Sequence, residues 1–203
     1  MLANILTEAE ISHRLAAALD LPVEEDCSAS WLTETPRPAA VLIPFLRRES
    51  EWHLLFTRRT DRVEHHKGQV SFPGGRRDPG DPSPQFTALR ESEEEIGLRT
   101  ADVNILGVLP ELPTVTNYCV TPVVGAIPWP YPLQLAEEEV SRVFTIPLAW
   151  LADPIHRVTR TQVFFGLTHS RSLPVIYFDI YDGELLWGVS AQITLSLLKA
   201  LSL

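Results

Sequence analysis

Four glutamates lie close together near the middle of the chain, at Glu91, Glu93, Glu94 and Glu95. The residues before them and Gly97 after them predict a helix from about Ser83 or Pro84 to Ile96, so the glutamates fall in its last turn and a half. The helix dipole puts partial negative charge at that end, and carboxylates three or four residues apart repel each other. A sequence selected only for folding would not have this arrangement.

Three of these carboxylates, Glu91, Glu94 and Glu95, share one face of the predicted helix, whereas Glu93 points away from them. Divalent ions such as Mg²⁺ and Mn²⁺ prefer clustered carboxylate oxygens, and a bound ion would offset both the dipole and the repulsion. A solvent-exposed acidic face is the alternative, but it leaves both penalties in place. The pattern therefore favours a divalent metal site.

Arginine and lysine are concentrated in residues 47–77, directly before the acidic helix, although the chain has a net charge of −9. A basic segment that leads into a carboxylate cluster suggests a site that holds a polyanion beside bound cations. The overall acidity, together with the shortness of the basic segment, argues against nucleic acid as a partner.

Length and composition predict one domain with extensions. The 203 residues contain no apolar run long enough to span a membrane and no signal-peptide pattern, so we expect a cytoplasmic protein with no membrane partner. Cys27 and Cys119 lie far apart and lack metal-ligand spacing, which predicts two free thiols rather than a disulfide framework or a zinc site.

Hydrophobic patterns predict helices at both ends of the chain. The first covers residues 5–19 and is followed by a polar linker over residues 20–38. The last begins at about Ser190, and its apolar face, which includes Leu197, is predicted to be part of the core, as are Ile193 and Leu198.

Alternating or continuous apolar segments predict a series of strands between these helices. They are residues 39–46, 51–59, 68–75, 103–112, 118–127, 161–167 and 173–180. Residues 136–153 are predicted to be a loop that leads into one or two short helical turns. The order of elements favours a mixed sheet covered by helices on both faces.

The segment from Gly75 to Leu98 resembles the Nudix box of metal-dependent pyrophosphohydrolases, Gly-x5-Glu-x7-Arg-Glu-apolar-x-Glu-Glu-x-Gly-apolar. Gly75 is the opening glycine, and Asp81 stands where the first glutamate is expected. The other matching residues are Arg90, Glu91, Glu94, Glu95, Gly97 and Leu98. The departures are Asp81, one extra residue between it and the arginine, and Ser92 at an apolar position.

The preceding segment, LLFTRRTDRVEHHKGQVSFPGG from Leu54 to Gly75, resembles the element LLTxR[ST]…GxVxFPGG of the coenzyme A pyrophosphatase branch. That branch tolerates aspartate at the glutamate position and the extra residue. Glu64 departs from it, because the branch commonly has arginine there. The resemblance covers roughly Ala39 to Leu151 and implies this branch of the family.

The resemblance implies a Nudix fold, an α/β/α sandwich with a central mixed β-sheet, formed by residues 39–203, with residues 1–38 as an N-terminal helix and linker packed on it. It implies hydrolysis of the pyrophosphate bond of coenzyme A or acyl-CoA, giving 3′,5′-ADP and 4′-phosphopantetheine, acylated when the substrate is. The alternatives are another nucleoside diphosphate derivative, such as ADP-ribose, and a non-catalytic nucleotide-sensing module. A homodimer is a further expectation from the family.

Site residues carried over from the family are the carboxylates of the box. Glu91, Glu94 and Glu95 are expected to hold Mg²⁺ or Mn²⁺ with the carbonyl of Gly75, and the general base stays open among the glutamates. Glu139, in the segment AEEEV, is expected to complete the site. A plain acidic surface loop is the alternative for that segment.

Two further groups of residues complete the prediction. Arg90 is expected to orient the box carboxylates by ion pairing, and Asp81 to order the loop before the helix. The residues expected to face the substrate's phosphates are Arg58, His65, His66 and Lys67. A solvated turn between two strands is the alternative for that group.

Overall fold

The computed structural model describes residues 6–19, 35–60, 68–165 and 170–203. The helices are α1 (Glu8–Ala18), α2 (Pro84–Ile96), α3 (Leu148–Ala152) and α4 (Gly188–Ala200). The strands are β1 (Arg37–Arg48), β2 (Glu51–Arg59), β3 (Val70–Ser71), β4 (Gly74–Arg76), β5 (Asn104–Val108), β6 (Leu112–Pro113), β7 (Tyr118–Ala126), β8 (Val140–Pro147), β9 (Arg157–Phe165) and β10 (Ser170–Phe178). Most of the predicted linker, residues 20–34, lies outside the described residues.

The main sheet is mixed. Its strand order is β3-β2-β1-β7-β5, and β4, β6 and β8 pair with β1, β7 and β2 respectively. Strands β1 and β7 run parallel over nine residue pairs, whereas the other pairs are antiparallel. Strands β9 and β10 form a separate antiparallel hairpin.

Helices cover both faces of the main sheet. Alternate residues of β2 point to opposite faces, so Leu54 and Phe56 join the larger core with α1 and α4, while Leu55 joins the smaller core beneath α2. The predicted core residues of α4, Ile193 and Leu197, are both buried. The predicted α/β/α sandwich with a mixed sheet is therefore confirmed.

Local capping fixes the ends of α2 as the sequence predicts. The Ser83 hydroxyl accepts a hydrogen bond from the Phe86 amide at 3.2 Å, and proline occupies the first turn. At the other end Gly97 has a φ of 69°, and its amide donates to the Glu93 carbonyl at 3.0 Å. A left-handed residue at this position favours glycine.

The prediction is wrong for β8, and the segment predicted as one strand over residues 68–75 forms the two short strands β3 and β4. Residues 140–147, predicted as loop, form β8 against β2. The pairing shifts register so that Arg58 opposes Arg142 while Arg59 opposes Val140, and Ser141 is the extra residue. This bulge interrupts the alternation of apolar and polar residues from which a strand is predicted. The short helical turns expected afterwards are present as α3 and the 3-10 turn Pro154–His156.

The prediction of two free thiols is wrong for Cys119, which is disulfide-bonded. Pairing depends on the distance between cysteines in the fold rather than on their spacing along the chain. Cys27 lies outside the described residues.

None of the helices in the described part of the chain has the length and apolar character needed to cross a bilayer.

Candidate active site

Two glycines allow close approaches of the β4 backbone, Gly75 to α2 and Gly74 to β1. A Cβ atom on Gly75 would lie 2.4 Å from Oε2 of Glu91, and one on Gly74 would lie 2.4 Å from the Ala40 carbonyl oxygen. Gly74 also has a φ of +153°, a conformation that glycine adopts without strain. Gly75 therefore lets the Glu91 carboxylate lie directly against this strand, at a place that a Cβ would fill.

Glu95 is a buried carboxylate, with 4% of its surface exposed. Its Oε2 accepts a hydrogen bond from the Gly74 amide at 3.3 Å, and Nη1 of Arg59 lies 3.8 Å from its Oε1. Burial raises the pKa of Glu95 to about 8, because Arg59 and the Gly74 amide offset only part of the lost hydration and the charges of Glu139 and Glu91 raise the pKa further. A cation at this point would stabilise the ionised form.

Arg90 holds the other two carboxylates of the box. Its Nη2 lies 2.8 Å from Oε1 of Glu91, and its Nη1 lies 3.0 Å from Oε2 of Glu94. Burial nevertheless raises the pKa of Glu91, and the charges of Glu94 and Glu139 act in the same direction. These contacts are the ion pairs that the sequence predicts for Arg90.

Asp81 fixes Arg90 in turn. Its carboxylate accepts from Arg90 Nε at 3.3 Å and Nη2 at 3.0 Å, from the Thr87 hydroxyl at 2.9 Å and from the Asp78 amide at 3.0 Å. These hydrogen bonds, chiefly those from Arg90, lower the pKa of Asp81 to about 2. Asp81 therefore orders the loop before α2, as expected, and also orients the arginine.

The segment before β8 brings a fourth carboxylate to the box. The Ala136 amide donates to the Glu95 carbonyl at 2.9 Å, and the Thr60 amide donates to the Glu139 carbonyl at 2.9 Å. The charge of Glu139 raises the pKa of both Glu91 and Glu95, so its carboxylate lies near theirs. The part of Glu139 in the chemistry stays a prediction.

The two arginines at the end of β2 point in opposite directions. Arg58 Nε lies 3.5 Å from Oε2 of Glu184, and its Nη1 donates to the Ser141 hydroxyl at 3.1 Å. Arg59 faces Glu95. Sequence reasoning missed Arg59, although the alternation of β2 places it on the α2 face with Leu55. The contact of Arg58 with the substrate stays a prediction.

The other predicted phosphate-facing residues, His65, His66 and Lys67, lie outside the described residues.

Two residues of the box that are not predicted to bind metal or substrate contact other parts of the protein instead. Ser92, which stands at an apolar position of the box, is buried and donates to the Ala88 carbonyl at 2.6 Å. Glu93 points away from the trio, as predicted, and accepts from the amide and hydroxyl of Thr100 at 3.2 and 3.1 Å.

The oxygen atoms of the candidate site are of the kind that binds a hard divalent cation, but they are not arranged around a single point. Within the described ranges, no three His, Cys, Asp or Glu side chains are grouped so as to hold a metal ion as they stand, since Arg90 and Arg59 pair with the carboxylates. All the candidate donors are oxygens, two of the carboxyl groups have raised pKa values, and the space beside Gly75 would be filled by a Cβ. The residues fit the group if the carboxylates rotate.

The NUDIX domain family model matches residues 36–164. The chain belongs to the Nudix family. The uncharacterized Nudix hydrolases NudL of Yersinia pestis (strain Pestoides F) and Yersinia pseudotuberculosis (serotype O:1b, strain IP 31758) are each 36% identical over 201 residues, which cover 96% of this chain and 94% of the relative. Nudix hydrolases generally use divalent metal ions.

The structural comparison agrees at the level of the fold. A MutT/nudix family protein from Enterococcus faecalis matches with a TM-score of 0.54 at 14% sequence identity, covering 94% of this chain and 69% of the other. The predicted Nudix fold is thereby confirmed.

Proposed function

We propose that the protein hydrolyses the pyrophosphate bond of coenzyme A or acyl-CoA with Mg²⁺ or Mn²⁺ as cofactor. The observation that supports a hydrolytic function is that the buried carboxylate of Glu95 lies close to those of Glu91 and Glu139 beside β4. Carboxylates are brought together here at a cost in desolvation and repulsion, and a bound divalent cation would remove that cost.

The chain's own residues hold the reacting groups in place. Glu91, Glu94 and Glu95, with the carbonyl of Gly75, would hold the ion, and a bound divalent ion would supply charge neutralisation and water activation. Arg90 forms ion pairs with both Glu91 and Glu94 and so keeps their carboxylates on the same side of the site. The Gly74 amide keeps Glu95 directed toward β4.

Glu139 is our candidate to accept the proton of the attacking water. Of the three predicted metal-binding glutamates and Glu139, all of which lie in the described part of the chain, Glu139 alone has no ion pair with an arginine or lysine. It is exposed, so it can approach a substrate that enters from solvent. Its backbone is held by Thr60, which leaves the side chain as the mobile part.

The choice of coenzyme A is supported by the element from Leu54 to Gly75, which resembles the coenzyme A pyrophosphatase branch. Another nucleoside diphosphate derivative, such as ADP-ribose, is the rival substrate. Turnover of coenzyme A, dephospho-CoA, ADP-ribose and a nucleoside triphosphate, each with Mg²⁺ and Mn²⁺, separates them. We expect the highest kcat/KM for coenzyme A or acyl-CoA, and the branch assignment is wrong if coenzyme A is the poorest substrate.

A nucleotide-sensing module is the rival from another class. Glu94→Gln and Glu95→Gln should each lower kcat about 100-fold or more, because charge stabilisation at the reacting phosphates is lost. Glu93→Gln is the matched control, since Glu93 lies on the same helix but binds Thr100. Equal activity of all three variants and the wild type would contradict metal-dependent catalysis at this site.

A further inference from the structure

Guanidinium groups occupy the carboxylate oxygens that a divalent cation would need. Arg90 pairs with Glu91 and Glu94, and Arg59 lies 3.8 Å from Glu95. A metal ion and an arginine cannot take the same oxygen at full strength, because both need the same lone pairs and repel each other. Each arginine must therefore either stay beside the metal or move when it binds.

Arg90 is fixed where it is. Two of its nitrogens bind the carboxylate of Asp81, and a third contact runs to the Arg76 carbonyl at 3.3 Å. Asp81 is itself buried and held by Thr87. A forked contact of this kind favours one orientation of the guanidinium, so Arg90 is held at the edge of the carboxylate set.

Arg59 is held differently. Its backbone is fixed, because its amide donates to the Gln69 carbonyl at 3.0 Å at the bulge between β2 and β8. Its side chain has one charged partner within the described residues, Glu95, and 29% of that side chain is exposed. The head group can therefore turn away from Glu95 without breaking another ion pair of the described structure.

We propose that Arg59 is an exchangeable cation: it pairs with Glu95 while the site is metal-free, and it turns to the pyrophosphate of the substrate when a divalent ion takes its place. This inference rests on the proposed function and adds a substrate-binding residue to it. The planar guanidinium suits adjacent phosphoryl oxygens because it can donate two parallel hydrogen bonds. Glu95 lies beside those oxygens in the proposed site, so only a short movement is required.

The exchange predicts effects of opposite sign on two measurements. Arg59→Gln removes a competing positive charge, so Mg²⁺ should bind the substrate-free protein about three- to five-fold more tightly, the range expected for a partly exposed ion pair. The same variant loses a charge-assisted hydrogen bond to the substrate, so kcat/KM should fall about 10- to 100-fold, mainly through KM. A residue that only supports the fold would not strengthen metal binding.

Calorimetric titration of Mg²⁺ without substrate measures the first effect. It uses the same buffer, pH and ionic strength for the wild type and every variant, so that the affinities differ only through the substitution. Steady-state kinetics with the best substrate of the panel measure the second effect. Thermal unfolding of the metal-free proteins checks that the variants are folded.

Two further variants separate charge from shape. Arg59→Lys keeps a positive charge near Glu95 but loses the forked donor. This variant should therefore bind Mg²⁺ as tightly as the wild type does, while its kcat/KM still falls. If Arg59→Gln does not fold, Arg59→Lys carries the kinetic test. Arg142→Gln is the matched control, because Arg142 lies on the adjacent strand and pairs with Glu184. It should change neither measurement.

The outcomes distinguish a failure of this inference from a failure of the proposed function on which it rests. A wild-type protein that hydrolyses no pyrophosphate substrate overturns both. Normal wild-type turnover combined with an Arg59→Gln variant that binds Mg²⁺ no more tightly, or keeps its KM, overturns the exchange alone. A rise in KM for Arg58→Gln without one for Arg59→Gln also overturns it, since Arg58 faces Glu184.

Discussion

Asp81 shows how a box that departs from the family pattern keeps its arginine in place. The shorter side chain and the extra residue before Arg90 still deliver a carboxylate that binds two guanidinium nitrogens. The Thr87 hydroxyl, one turn before Arg90 on α2, closes the arrangement. Asp81 therefore gives Arg90 a buried carboxylate partner despite both departures.

The lowered pKa of Asp81 predicts a particular acid response. Because the ionised form is favoured in the fold, its contribution to stability is complete above the ordinary pKa of 3.8 and is lost as the pH falls toward about 2. Asp81→Asn should lower the Tm at neutral pH and flatten its fall between about pH 4 and pH 2. Thermal unfolding across this range measures both effects.

The control for that experiment is Asp78→Asn. The Asp78 carboxylate lies 4.0 Å from Arg90 and is largely exposed, so its removal changes the charge of the loop without opening the buried contact. This variant should show nearly the same fall in Tm between about pH 4 and pH 2 as the wild type. Parallel Tm curves for wild type and Asp81→Asn would contradict the buried pairing.

Residue-level patterns predicted several contacts of the candidate site that the structure describes, and the alternation of residues along β2 would have predicted one more. The direction of Glu93, the left-handed Gly97 and the ion pairs of Arg90 follow from helix geometry and charge. Arg59 was missed although Thr57 to Thr60 align with T-x-R-[ST] of the quoted element, which places Arg59 at its arginine and Arg58 at its variable position. The two arginines also occupy opposite faces of β2, a difference that becomes visible once the core face of the strand is known.

At the level of elements, two hydroxyls join the end of β2 to the start of β8. The Thr60 hydroxyl donates to the Glu138 carbonyl at 2.9 Å, and the Ser141 hydroxyl donates to the Arg58 carbonyl at 3.0 Å. Thr60 is 6% exposed. The junction sets the position of the backbone that carries Glu139, so it acts on the proposed site through the strand rather than by contact.

Thr60→Val removes one of these hydrogen bonds at nearly constant volume. Because small displacements of reacting groups are costly, we expect kcat to fall about tenfold with little change in KM. Thr60→Ser keeps the hydroxyl and should restore kcat. Loss of kcat in both variants would indicate packing rather than the hydrogen bond, and steady-state kinetics distinguish the two.

Elements formed by interactions between residues close in sequence were predicted more accurately than elements formed by distant residues. Helix α2 was predicted closely because its caps are local, whereas β8 was missed because its bulge depends on pairing with β2. The β9–β10 hairpin begins before the predicted segments in both strands. Its strands start with polar residues, which carry no apolar alternation.

At the scale of the whole molecule, the core extends beyond the residues that match the family model. Helix α1 lies before residue 36 and α4 after residue 164, yet both pack into the larger core. A Cβ on Gly107 would come within 3.0 Å of the Leu15 side chain, so β5 and α1 are in close contact. The assignment of residues 1–38 as a segment packed on the catalytic domain stays a proposal, but these contacts make it testable.

If α1 and α4 unfold with the main sheet, mutations in either helix must lower the stability of the whole. Leu15 and Leu197 are both 0% exposed, and replacing either with alanine should cost about 3 kcal/mol in the free energy of unfolding. Leu19→Ala is the control for α1, because that side chain is 47% exposed and should cost less than about 0.5 kcal/mol. Urea unfolding should show a single transition for every variant, since one core connects the helices to the sheet. A second transition in Leu15→Ala, or an unchanged midpoint, would mean that α1 is a separate unit and that the catalytic domain is stable without it.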